Sequence, residues 1–180
     1  MKSFILFIAS ILISAPSSVN INFGKDGDGK QWQVIDDGVM GGLSRGKITF
    51  DDGNVLFKGT VSLANNGGFS SFKSPFGKTD LSDFETVEMR FKASGQAFAL
   101  TMETDYRWYA PYFKKDFTTD SEEWVTVKLN LNDFDQYRIG TKTGNKLTEN
   151  QLEKVVRIGI TTNSKKEGPF ELLLDYIKFE

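Results

Sequence analysis

The sequence predicts an all-β fold, a two-sheet jelly-roll sandwich with one short helix. Three observations point there. The chain holds 16 Phe, 5 Tyr and 3 Trp within a 39% apolar composition, and aromatic side chains suit a half-buried pleated surface. Short apolar runs alternate with Gly-, Asn- and Asp-rich turns at the spacing of a sandwich, with no β-α-β rhythm. Helix signals are confined to Thr148-Glu149-Asn150-Gln151, which fits a capping box. A chain of 180 residues accommodates one domain with a sizeable core.

The elements follow in order. Residues 19–23 alternate and end in a glycine-rich loop through Gly29. Residues 32–35 read as a short strand. Residues 47–50 lead into Asp51-Asp52-Gly53-Asn54, a hairpin turn. Residues 55–63 return with Val55, Phe57, Gly59, Val61 and Leu63 on one face. After Asn65-Asn66-Gly67-Gly68 a strand covers 69–73. Residues 84–93 place Val87, Met89, Phe91 and Ala93 opposite Glu88, Arg90 and Lys92, the period of a half-buried strand. Further strands are expected over 97–103, 108–113, 124–131, 155–161 and 170–179. The capping box opens a helix reaching Lys154.

Composition narrows the chemistry. The chain has no Cys and no His. Thiol nucleophiles, Ser-His-Asp triads, His-ligated metals and disulfides are therefore excluded. The net charge of −2 argues against nucleic acid as a partner. At the N-terminus, Lys2 precedes an apolar run over 4–13 and small residues including Ala15, Ser17 and Ser18. Residues 1–18 fit a secretory leader, so an exported, periplasmic or extracellular domain over 19–180 is expected. A retained membrane anchor and an N-terminal strand are the alternatives.

Three segments are candidates for function. In residues 36–46 the glycines permit positive φ or close backbone approach. Met40 can lie over a neighbouring core, and Arg45 offers a fork to Asp36 or Asp37. This stretch reads either as a bonded loop or as a binding surface. Residues 106–113 interleave Tyr106, Trp108, Tyr109 and Tyr112 with Arg107, which suits sugar stacking, a protein contact or core packing. Strand alternation would send Trp108 and Tyr109 to opposite faces. Asp26-Gly27-Asp28-Gly29 opens like a calcium loop, but Asp37 stands at the twelfth position where Glu is required; a solvated turn is the simpler reading. Glu103 and Asp105 are candidates for a carboxylate pair with Asp36 and Asp37.

Trp32-x3-Asp36-Asp37-Gly38-Val39-Met40-Gly41-Gly42-x-Ser44-x-Gly46 resembles the N-terminal signature of the complex I intermediate-associated protein family. Gly53-x3-Phe57-x-Gly59, Asn66-Gly67-Gly68-Phe69-Ser70-Ser71, Arg90, Tyr109, Trp124-x-Thr126-Val127-x-Leu129 with Phe134, and Arg157-Ile158-Gly159-Ile160 continue the resemblance over about residues 20–180. The resemblance implies a galactose-binding-like jelly roll, related in shape to carbohydrate-binding modules. It implies a non-enzymatic, chaperone-like assembly factor without a cofactor, acting on a protein partner such as a membrane-associated complex. Carbohydrate binding is the alternative. The binding residues it implies are Asp36, Asp37, Met40, Gly41, Gly42, Ser44, Arg45, Phe69, Ser70, Arg90, Trp108 and Tyr109. No metal is expected; Asp26, Asp28 and, by resemblance, Asp175 are the only candidates. The leader departs from the mitochondrial setting of the eukaryotic members.

Overall fold

The structure is a computed structural model that describes residues 18–24, 27–51, 53–119, 121 and 123–180. Residues 1–17 of the expected leader, and Asp26, lie outside the described residues. Among those described, no helix is long and apolar enough to cross a membrane.

The described chain forms β1 (Val19–Asn22), β2 (Gln33–Asp36), β3 (Arg45–Asp51), β4 (Asn54–Val61), β5 (Ser70–Lys73), β6 (Thr86–Ser94), β7 (Phe98–Glu103), β8 (Tyr112–Phe117), β9 (Val125–Asn130), β10 (Asp135–Arg138), β11 (Thr141–Lys146), α1 (Glu149–Leu152), β12 (Arg157–Thr162) and β13 (Gly168–Phe179). One sheet has six strands, in the order β3-β4-β13-β6-β9, with β1 also paired to β13. The other has seven, in the order β11-β10-β8-β7-β12-β5-β2. The expected all-β sandwich with one short helix is what forms.

β13 organises the six-stranded sheet. Residues 168–174 pair with β4, and residues 176–179 pair with β1. Along its other side β13 pairs with β6, with a register shift between Leu174 and Tyr176.

Phenylalanines build the core between the sheets. Phe57 and Phe170 of the six-stranded sheet lie 4.8 Å apart. Phe57 also meets Phe72 of the other sheet at 5.9 Å, and Phe170 meets Phe98 at 6.2 Å. Phe98 then contacts Phe117, and Phe117 contacts Phe91 at 4.9 Å. Trp32 and Phe23 extend this line of rings from Phe72. Each ring removes a large apolar area from water, and tilted ring pairs add about 1 kcal/mol each. This packing holds together a chain that has no cysteine to cross-link.

The structure departs from the sequence expectations in four places. The β10–β11 hairpin was not foreseen, because β11 (TKTGNK) is exposed along its whole length and carries no apolar alternation. β8 begins at Tyr112 rather than Trp108. β4 ends at Val61, so Leu63 is exposed instead of facing the core. The helix is one turn, Glu149–Leu152, and does not reach Lys154. Its capping box does form: the Thr148 amide donates to Gln151 Oε1 at 2.9 Å.

Candidate binding surfaces

The stretch 36–46 leaves β2 at the edge of the seven-stranded sheet, makes a 3-10 turn over Asp37–Met40 and enters β3 of the facing sheet. Asp36 accepts the Gly46 amide at 3.1 Å and the Ser70 hydroxyl at 2.5 Å. Asp37 is 1% exposed. Its carboxylate accepts the Ser44 amide at 3.0 Å, the Ser44 hydroxyl at 2.5 Å, the Gly68 amide at 2.6 Å and the Phe69 amide at 3.2 Å. Ser44 Oγ in turn accepts the Ser62 amide at 3.0 Å. These bonds tie the entrance to β3, the end of β4 and the start of β5 into one knot. Burial pushes the Asp37 pKa up, but the bonds from Ser44, Gly68 and Phe69 outweigh it and hold the carboxyl below its ordinary 3.8.

Arg45 does not clamp Asp36 or Asp37. It is exposed, and its guanidinium donates to the Ser44 carbonyl at 2.7 Å. The two carboxylates take their donors from hydroxyls and backbone amides, which are already ordered by the loop and cost no long-side-chain entropy.

The adjacent glycines serve different ends. Gly41 has φ +88° and open space around its Cα. Gly41→Ala is expected to cost about 1 kcal/mol, from the left-handed backbone alone, measurable as a shift in urea midpoint. At Gly42 a Cβ would sit 2.3 Å from the Asp37 carboxyl carbon. Met40 does not lie over the core; it is 67% exposed, with Leu43 at 52%. The 3-10 turn and its left-handed exit throw Met40 outward. Asn65 Nδ2 donates to the Gly41 carbonyl at 3.0 Å, which brings the loop carrying exposed Leu63 alongside.

Trp108 and Tyr109 stand at the other end of the seven-stranded sheet, on the loop joining β7 to β8. The strand expected there is replaced by a turn. The Arg107 amide and guanidinium both bind Asp105, at 2.5–2.9 Å, and the Ala110 amide donates to the Arg107 carbonyl at 3.0 Å. Alternation therefore does not apply, and Trp108 (81% exposed), Tyr106 and Tyr109 all reach solvent. Phe76 packs 5.3 Å from Tyr106, under the Arg157 guanidinium. Asp105 is held at a pKa of about 2 by its bonds to Arg107, and Glu103 pairs with Lys73 at 2.6 Å. The carboxylate pair with Asp36 and Asp37 does not form: β2 runs from Gln33 opposite Lys73 to Asp36 opposite Ser70, which carries the aspartates away from Glu103.

Arg90 lies on the opposite sheet. It pairs with Asp175 at 2.6 Å and covers the Trp124 ring at 4.4 Å. Asp28 accepts the Asn22 amide at 2.9 Å. Asp175 is thus committed to Arg90 rather than turned towards Asp28, and the described residues contain no acidic cluster of metal-ligating kind.

One surface was missed. On the outer face of the seven-stranded sheet, Tyr137, Tyr112, Glu103 and Arg157 fall in one row across four strands. The next row carries Lys146, Asp135, Lys114, Thr101, Gly159 and Lys73. The Tyr112 and Tyr137 rings stack at 6.0 Å, with Lys114 Nζ 4.2 Å from the Tyr137 ring. Ala99 and Thr101 form a floor of small residues, nearly covered although they face outward. The Trp108 loop joins Glu103 to Tyr112, at the end of the sheet where the tyrosine row lies. The sequence signal available was Tyr112-x-Lys114, and it pairs with Tyr137 only through the unforeseen hairpin.

Residues 21–174 match the family model for complex I intermediate-associated protein 30 (CIA30). The chain belongs to this family. Among solved structures, the CIA30 fold here is similar to the family 11 carbohydrate-binding module of a cellulosomal cellulase of Clostridium thermocellum, with TM-score 0.66, 18% identity, and coverage of 92% of this chain and 95% of that one. The same module in complex with a β-1,3-1,4-mixed-linked tetrasaccharide gives TM-score 0.65 at 19% identity, covering 92% and 96%. A family 29 carbohydrate-binding module gives TM-score 0.51 at 13% identity, covering 91% and 88%. At these identities the likeness is one of fold, and it agrees with the galactose-binding-like jelly roll that the signature implied.

Proposed function

We propose that this CIA30 domain is a non-catalytic binding module that acts on a protein partner during assembly of a larger, membrane-associated complex. The observation that carries this reading is the knot around Asp37. It fixes the signature loop rigidly while presenting Met40 and Leu43 to solvent. Exposed apolar side chains on a pre-ordered loop lose little entropy on docking, and a flexible thioether adapts to a partner's surface. The aspartates are spent on structure, which leaves no activated carboxylate in the loop for chemistry. A photo-crosslinking side chain at position 43 is expected to capture one defined partner from native membranes. The same probe at Thr143, on the remote polar edge, should not. Equal capture at both positions, or none at 43, contradicts the reading.

A second reading is favoured by a different surface. Stacked Tyr112 and Tyr137, with exposed Trp108 alongside, offer flat aromatic faces and hydrogen-bonding groups to a glycan. Retardation in glycan-containing native gels is its readout.

A further inference from the structure

We propose that the outer face of the seven-stranded sheet binds an acidic polysaccharide, with Lys114 taking a uronate carboxylate and Tyr112 and Tyr137 stacking on sugar rings. The sugar rests on the second reading; the acidic class stands on the charge arrangement of the face itself.

Lys73, Lys114, Lys142, Lys146 and Arg157 face Glu103, Asp116 and Asp135 across these strands. The face is therefore basic in a chain whose net charge is −2. Lys73 is paired with Glu103, while Lys142 and Lys146 share Asp135 at 2.6 and 2.7 Å. Among the described residues no carboxylate comes within ion-pair distance of Lys114. Its ammonium donates instead to the neutral Asn163 Oδ1 at 2.6 Å, and Asn163 Nδ2 donates to Asp116 at 2.7 Å. Asn163 thereby stands between the lysine and the nearest acid on its own strand.

Lys114 is half-buried beneath these neighbours. Burial holds its pKa below the ordinary lysine value; Asp116 pulls it back up and Lys165 pushes it further down. A desolvated ammonium held by a neutral amide oxygen and by its contact with the Tyr137 ring, 4.2 Å away, gains from an incoming anion, because the partner charge replaces lost hydration. The adjacent tyrosines specify what carries that anion. Tyr112 remains a neutral phenol, since burial, Tyr137 and Glu103 all raise its pKa. Its ring and that of Tyr137 lie 25° from parallel, aromatic surface against which the apolar C–H faces of sugar rings can pack. The row from β10 to β12 spans three inter-strand spacings, about 14 Å, which suits several linked rings rather than one. A nucleic acid would demand many more unpaired cations than Lys114 and Arg157 supply.

Native gels of the full chain containing polygalacturonate, neutral mixed-linked β-glucan or poly-L-glutamate test this. Polygalacturonate is expected to retard the protein, and Lys114→Met to weaken that retardation about tenfold, the loss of one charge-assisted hydrogen bond. Tyr137→Ala should weaken it as well, and poly-L-glutamate should leave mobility unchanged. Melting curves verify that the variants fold, and Lys114→Gln gives the same readout should the methionine variant fail. Full retardation of Lys114→Met overturns the proposal. Retardation by β-glucan that survives Lys114→Met but not Tyr137→Ala overturns the acidic class and keeps the glycan reading. Equal retardation by poly-L-glutamate overturns the sugar. No retardation in any gel overturns both.

Discussion

Asp37→Ala is expected to cost about 4 kcal/mol and to lower the melting temperature by roughly 10 °C. The carboxylate is 1% exposed and receives four donors from two separated segments, Ser44 and Gly68-Phe69. Removing it does not merely delete those bonds. It leaves the amides of Ser44, Gly68 and Phe69 without an acceptor in a water-poor knot, and each unmet buried donor costs on the order of 1–3 kcal/mol. Partial opening to admit water keeps the total below the simple sum. The acid dependence has a definite sign. Because the folded-state pKa lies below 3.8, the stabilisation is complete above the unfolded value and is lost as pH falls through the folded one. The wild-type advantage over Asp37→Ala should therefore be flat at neutral pH and shrink only below about pH 4. Urea midpoints across pH 2.5–7 measure this, on the order of half-unit steps being sufficient; a gap that persists unchanged in acid would refute the carboxylate's role.

Gly42→Val is the second large effect, about 3 kcal/mol. Its Cβ would overlap the Asp37 Cγ and Oδ1 at 2.3 Å, and the Asp37 Cβ at 2.8 Å. The carboxyl cannot move aside without breaking the bonds to Ser44 and Gly68. The two substitutions should therefore be coupled. With the Asp37 carboxyl removed, much of the overlap disappears, so the double variant should lose clearly less than the sum of the singles. Strict additivity in thermal melts would show that Gly42 is required for some other reason.

The sandwich was legible because its core strands carry their period openly. β6 buries Val87, Met89, Phe91 and Ala93 as the alternation demands. The β10–β11 hairpin was hidden because both faces of β11 meet solvent, and nothing selects for pattern where nothing is buried. The signature glycines were readable as special positions. Their reasons were not, since Gly42 answers to a carboxyl five residues away and not to its own φ. Trp108 misled for a related cause. Its aromatic run has strand-like composition, but the turn between Asp105 and Ala110 overrides it. The outer-face row of Tyr112 and Tyr137 arises only from pairing between distant strands, which local spacing cannot report.

The placement of β13 bears on how the molecule comes together. It is the last strand of the described chain, yet it lies in the middle of its sheet. Before it docks, β3–β4 and β6–β9 can exist only as separate pairs, and β1 has no partner. One late-arriving segment must join all three, over sequence separations that make ordering slow. Until then Phe57, Phe91 and the free edges of β4 and β6 stand open to other chains. The interval before this final docking is the period in which newly made molecules are most prone to aggregate.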